Sequence, residues 1–294
     1  MVYKMSWGRR AFVIFNYSFL TVLSLICVIP LLHTAAISLS SASAAASGAV
    51  KVLPIGFSWS AYQYVLNKVE FLRAFGVSVE RVFLGVLINT ILTVLLAYPL
   101  SKEQQNFRRR TFYVWIFVVT MLFSGGLIPT YVTIKTTGVM DSIWALVLPG
   151  AVPVFNVVML LNFFRGLPKE LEESAKIDGA GHWVTLLKIY MPLSMPALAT
   201  ITLFATVGHW NSWFDGIIYM NRPEHYPLQS FLQTVVIPQD FRNLTAEQVN
   251  AISRVSNRTV NAAQIIISML PIVLLYPFLQ KFFMKGITLG SVKE

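Results

Sequence analysis

The residues best suited to metal ligation or nucleophilic chemistry are His33, His182, His209, His225 and Cys27, and their spacing supports neither. No two histidines stand at the short separation of a metal site, so no metal centre is expected. His209 and Ser212 are three apart and could meet across one helical turn. Neither a G-x-S-x-G elbow nor an acidic orienter accompanies them, so no catalytic residue is assigned. No G-x-x-x-x-G-K-S/T loop occurs, so no ATP site of that kind and no enzymatic role are expected of the chain itself. A single cysteine allows no internal disulfide. The polar groups that remain lie in apolar surroundings. Trp210, Asn211, Trp213, Phe214 and Asp215 combine aromatic faces with planar hydrogen-bonding groups, which suits a sugar in a translocation path. Asp215 facing lipid would be costly, which points to a cavity or a partner. The competing reading is an interfacial aromatic anchor with a helix-packing Asn, and both stand. Asn156 and Asn162 are weaker instances of the same argument.

A second polar segment reads Glu170-Leu-Glu-Glu-Ser-Ala-Lys-Ile-Asp-Gly-Ala-Gly-His-Trp, followed by Ile189-Tyr-Met-Pro192. Pro168 and the acids Glu170, Glu172 and Glu173 suit the first turn of a short helix. Glu172 and Lys176 form an i,i+4 pair. Ala175 with Gly179, and Ser174 with Asp178, present small faces. Gly179 and Gly181 end the helix, a second turn runs His182–Tyr190, and Pro192 opens the next apolar run. A compact helix–turn–helix is expected.

The elements that position these groups are apolar. The 294 residues are 55% hydrophobic and 12% charged, against roughly a quarter charged in soluble domains. Charges leave uncharged runs at Ala11–Leu32, Val82–Ser101, Thr111–Ile134, Ser142–Phe164, Ile189–Phe214 and Thr259–Gln280. Each has about the 20 residues that an α-helix needs to cross a membrane. The tract Ser38–Gly48 is too rich in Ser and Ala to be a seventh. The fold class is therefore an all-α polytopic membrane protein with six spans, about 11-32, 79-101, 111-134, 142-164, 192-218 and 259-281. They make up a membrane domain over 11-283, with the polar loop at 165-192 inside it. Residues 1-10 and 284-294 form cytoplasmic ends. Gly125, Gly126 and Pro129 interrupt the third span, and Pro149, Gly150 and Pro153 the fourth, as kinks or hinges at membrane depth. Glu80 and Arg81 read as boundary residues of the second span.

The net charge of +10 belongs to topology, not to nucleic acid. With the N-terminus inside, 14 of the 23 basic residues fall on the cytoplasmic side. The Arg108–Arg110 run then meets anionic membrane lipid. In the outer loops, Trp59, Tyr62 and Tyr64 suit an aromatic belt or a small docking surface. Arg222, Arg242, Arg254 and Arg258 make the last outer loop basic, for a polyanionic sugar or for a docking protein.

The polar loop resembles the EAA signature of ATP-binding-cassette importer permeases: E-A-A, three residues, G, nine residues, I-x-L-P. Glu173, Ser174, Ala175, Gly179, Ile189, Met191 and Pro192 supply it, with Ser174 in place of Ala and Met191 in place of Leu. Ile177-Asp178-Gly179-Ala180, Ala97-Tyr98-Pro99-Leu100-Ser101, Phe123–Tyr131 and Trp210-Asn211 are similar to the carbohydrate, maltose-permease-like branch. That branch includes the second permease subunit of the bacterial alginate importer. The resemblance covers the chain from about Trp59 onward. It implies a permease in the bacterial inner membrane that pairs with a homologous second permease. Two ATPase subunits, which bind the ATP and Mg²⁺, would lie beneath, and an extracytoplasmic solute-binding protein would deliver an oligosaccharide or polysaccharide. It further implies that Glu173, Ser174, Ala175, Asp178, Gly179, Ala180, Ile189 and Pro192 couple this chain to an ATPase.

Overall fold

The computed structural model describes residues 7–236 and 256–290, with side chains to 235 in the first stretch and 277 in the second. Among these residues every regular element is helical. The chain forms two compact units, residues 1–69 with 238–269 and residues 70–237 with 270–294.

The first unit holds α1 (Trp7–Ser38), α2 (Ala42–Ala46), α3 (Ser60–Leu66) and the start of α15 (Asn257–Gly290). α1 is apolar over its whole length, and its most apolar window has no buried residue. Cys27 is exposed on α1. Past the apolar run the helix continues to Ser38. There the weakly apolar Ala-Ser tract packs Ala36, Ile37, Ala45 and Val50 against Ala262.

The second unit is built on α4 (Val69–Ser101), at 33 residues about 50 Å long. α5 (Arg110–Leu122) and α6 (Leu127–Thr136) follow, then α7 (Ile143–Val147) and α8 (Val154–Arg165). α9 (Lys169–Ile177) and α10 (His182–Thr185) form the polar loop. A π-turn at Leu186–Tyr190 and the short α11 (Met191–Leu193) lead into α12 (Met195–Asn211), α13 (Phe214–Tyr219) and α14 (Leu228–Val236). Val94, Ala97 and Tyr98 of α4 meet Leu160, Leu161 and Phe164 of α8 and Leu198 and Ile201 of α12. Lipid tails are as apolar as Leu, so such a core is held by close packing more than by leaving water. Small residues permit the approach: a Cβ at Gly85 of α4 would overlap the His209 ring of α12.

Three helices, α1, α4 and the first 21 residues of α15, are long and apolar enough to cross a membrane. Three further candidates are broken pairs: α5 with α6 (111° bend), α7 and its 3-10 extension with α8 (46°), and α10–α11 with α12 (82°). Counting each pair as one span gives six. The first two breaks lie at the expected glycines and prolines, with Gly126 at φ +87°. Two boundaries differ from expectation. α4 begins ten residues before position 79, because Val69–Ser78 continue its helical turns although their charges had ended the apolar run. The fifth span, expected over 192-218, stops at Asn211 and resumes at Phe214, with Ser212 extended between.

Candidate functional site

α9 ends as its sequence requires. Gly179 has φ +78°, the Ala180 amide donates to the Ala175 carbonyl (2.8 Å) and the Gly179 amide to that of Lys176 (3.0 Å). This Schellman pair closes the helix, and Gly supplies the left-handed residue without a Cβ penalty. Ala175 is buried, while Glu173, Ser174 and Asp178 are exposed and Ala180 is half-exposed. Nothing lies within 4 Å of a Cβ built on Gly179. Ile189 packs into the core, and Pro192 is exposed.

What fixes this loop was not visible in the signature. Glu172 turns inward and accepts hydrogen bonds from Lys102 Nζ (2.8 Å) and the Tyr190 hydroxyl (2.6 Å), with Lys176 Nζ at 3.0 Å. The Lys102 ammonium also sits over the rings of Tyr98 (4.0 Å) and Tyr190 (4.2 Å). Lys102 is 8% exposed, so this charge is desolvated and fully partnered. Burial would raise the Glu172 carboxyl, but the hydrogen bonds from Lys102, Tyr190 and Lys176 prevail and hold it low, at about 2. Burial lowers Lys102, against the pull of Glu172. One carboxylate thus ties the end of α4, α9 and the π-turn together. Among the charged residues that remain outward, three large apolar side chains are exposed: Ile177 is 86% exposed, Trp183 66% and Leu187 56%.

A second constellation lies along α4. Arg81, expected at a span boundary, is 3% exposed within the helix and forms an ion pair with Asp215. Its Nη1 reaches Asp215 Oδ1 at 3.1 Å, and Nη2 donates to the Leu146 carbonyl at 3.4 Å. Asp215 further accepts from the Ser212 hydroxyl (2.8 Å) and the Gly216 amide (2.9 Å), so the break in the fifth span is closed around this carboxylate. About two turns further along α4, Asn89 Nδ2 donates to the carbonyls of Gly150 (2.8 Å) and Ala151 (2.9 Å). These oxygens are freed by the break before α8, where Pro153 has no N–H to offer. His209 Nε2 then donates to Asn89 Oδ1 at 2.8 Å, an engagement separate from Ser212.

A cavity of about 480 Å³ lies here, lined by Arg81, Asn89, Asn156, His209 and Asp215 among others. Of the expected path residues, Asn156 and Asp215 line it. Trp210 is buried edge-on to Phe75 (5.6 Å), Asn211 is exposed, and Trp213 and Phe214 meet edge to face at 5.6 Å. These four lie off the cavity. Arg81, Asn89 and His209 were missed as cavity residues, although an arginine at the edge of a 20-residue apolar run is a signal in itself.

In the segment after α13, Arg222 is 70% exposed and lies 3.6 Å from Asp141, which also binds His225 at 2.9 Å. Arg258 donates to the Ala45 carbonyl at 3.2 Å within the first unit. Arg242 and Arg254 lie outside the described residues, as do residues 1–6 and 291–294 of the two ends.

Broken apolar helices around a polar cavity, with a rigid polar loop at one end, describe a transport subunit, and the chain belongs to that class. Residues 103–289 match the family of binding-protein-dependent transport system inner membrane components, so the chain is a multi-pass membrane permease of a binding-protein-dependent transporter. It is 39% identical over 285 residues to the polygalacturonan/rhamnogalacturonan transport system permease protein YtcP of Bacillus subtilis (strain 168), covering 97% of this chain and 99% of that one. Protein LplC of the same strain is also 39% identical over 285 residues, 97% of this chain and 95% of its own. Among solved structures, a chain of a bacterial ABC transporter involved in the import of the acidic polysaccharide alginate superposes with a TM-score of 0.87 at 32% identity. That match covers 95% of this chain and 99% of the other.

Proposed function

We propose that the chain is one permease subunit of an ATP-driven importer of oligosaccharides or polysaccharides, with acidic saccharides, alginate among them, as its substrate class. It forms half of the pore beside a homologous second permease. Two ATPase subunits bind ATP and Mg²⁺, and this chain binds neither. Both termini are cytoplasmic, and the outer loop carrying Arg222, Arg242, Arg254 and Arg258 faces the solute-binding protein. The observation that carries the coupling role is the loop from Lys169 to Pro192. It is anchored inward by Glu172 and exposes Ile177 ahead of the broken pair that starts at His182, with Trp183 and Leu187 exposed just beyond, an apolar set suited to a protein partner. Glu173, Ser174, Asp178 and Gly179 lie on the same loop and enter the ATPase groove. The relatives' substrates, polygalacturonan and alginate, support an anionic sugar, and Arg81, Asn156 and His209 at the cavity supply the polar lining.

The test is Gly179→Val, which puts a β-branched residue at φ +78° in a loop outside the spans. The variant is expected to insert normally, but to lose co-purifying ATPase and ATP turnover stimulated by saccharide-loaded binding protein. Full assembly with parental turnover would remove the coupling role from this loop.

A further inference from the structure

A separate cleft of about 290 Å³ opens between the end of α4, the start of α5, the end of α8 and α9, with Arg110 and Arg165 in its lining. Its other charges are accounted for. Lys102 and Lys176 bind Glu172, and Lys169 binds Glu103. Glu103 is lowered first by the hydrogen bond from Lys169, with Arg110 a smaller influence. Glu173, which also lines the cleft, is exposed. Arg110 Nη1 donates to the Lys102 carbonyl (2.8 Å) and Arg165 Nη2 to that of Leu100 (3.2 Å). Neither guanidinium forms an ion pair among the described residues, and Arg110 Nε is buried without a hydrogen-bond partner. Two forked cations that meet only carbonyl oxygens in one cleft leave a charge deficit suited to a phosphate, which a guanidinium can grip with two parallel bonds.

The surroundings identify the phosphate's carrier. Arg110 opens α5, a helix with no buried residue, whose Phe112, Trp115, Ile116 and Val119 are all exposed. A ligand with its anionic head between Arg110 and Arg165 would therefore continue into hydrocarbon laid along α5. Basic clefts between membrane helices at the cytoplasmic surface bind phospholipid headgroups in this way.

We propose that Arg110 and Arg165 form a headgroup site for one anionic phospholipid, whose acyl chains cover the exposed face of α5. The proposal rests on the reading of the adjoining loop as lying at the membrane surface, but not on its ATPase role. The complex purified through a tag on this chain is delipidated, supplied with phosphatidylglycerol or phosphatidylcholine, and examined by native mass spectrometry. Retained phosphatidylglycerol is expected at one tightly bound copy, falling about fivefold for each arginine replaced in Arg110→Gln and Arg165→Gln. Arg110→Lys with Arg165→Lys keeps the charge but not the fork and should retain more lipid than the double Gln variant and less than the parent, which separates loss of the site from misfolding. Equal retention in the double Gln variant, or equal retention of phosphatidylcholine, overturns the proposal. So does displacement of the lipid by millimolar inorganic phosphate, which would make this a soluble-anion site. Co-purification of the ATPase is scored separately, so loss of the coupling reading leaves the lipid result intact.

Discussion

Arg81–Asp215 and Lys102–Glu172 are both buried ion pairs, one from within α4 and one from the residue just past its end, and they solve different problems. Arg81–Asp215 lies inside the apolar bundle, where an unpartnered charge has no water to turn to. Its carboxylate also takes the Ser212 hydroxyl and the Gly216 amide, so the pair secures a break in a span. Lys102–Glu172 lies where the chain leaves the bundle. Its carboxylate has three side-chain donors and its ammonium two aromatic rings, so no single contact carries the anchor. Depth decides the consequence: the inner pair is required for the helices to pack, whereas the outer one sets the attitude of the polar loop against the bundle.

The largest expected effect breaks the inner pair. Asp215→Ala leaves Arg81 buried and alone, and should cost about 3–5 kcal/mol, read as a fall in thermal unfolding temperature and in detergent-extractable yield. Arg81→Met with Asp215→Leu should recover most of that loss. An Asp215→Ala protein as stable as the parent would show that the guanidinium finds water and that depth does not distinguish the pairs.

Lys102→Met is the matching test outside. Glu172 keeps Tyr190 and Lys176, so about 1–3 kcal/mol is expected, and in a different place. Amide exchange should speed up across α9, and co-purifying ATPase should fall, with insertion unchanged. Global destabilisation on the scale of Asp215→Ala would erase the contrast.

pH sharpens it further. Glu172 is held at about 2, below its ordinary carboxylate value, so its contribution is present above that ordinary value and lost only as pH falls toward 2. Protection of α9, corrected for intrinsic exchange, should therefore be flat from roughly pH 5 to 8. On the alkaline side it should fall before exposed lysines titrate, because burial lowers Lys102. Loss of protection between pH 7 and 5, a window of roughly two units in which Glu172 stays ionised, would contradict the three-donor arrangement.

Smallest of all is Arg222→Ala. With 70% of the Arg222 side chain exposed and Asp141 held also by His225, under about 1 kcal/mol of stability is expected. Its effect should instead appear as weaker, salt-sensitive stimulation by the binding protein. A stability loss of several kcal/mol, roughly what breaking a buried pair costs, would place this surface pair with the inner ones.

The sequence was legible where the information is local. Gly179 and Gly181 after an acidic first turn gave the loop, Glu172 with Lys176 gave an i,i+4 pair, and Gly125–Pro129 and Pro149–Pro153 gave two of the breaks. Lys102 and Glu172 are 70 residues apart, and nothing in either neighbourhood announces the other. Arg81 was lost for another reason. Charges had been used to delimit the apolar runs, so the run began at Val82 and left outside it the residue that matters most within the helix. The gap at Ser212 had no proline or glycine beside it to mark it. It depends on the Asp215 carboxylate, whose partner sits 134 residues earlier.

The bend between α5 and α6 bears on how the protein is made. Thirteen residues of helix rise about 20 Å, short of the roughly 30 Å of hydrocarbon. In the finished molecule α5 lies on α8 and α6 on α13. Neither support exists when residues 110–136 leave the ribosome, and the second is complete only once Tyr219 has been synthesised. The fold-over at Gly125–Gly126 therefore has both its helical supports only once α8 and α13 are in place.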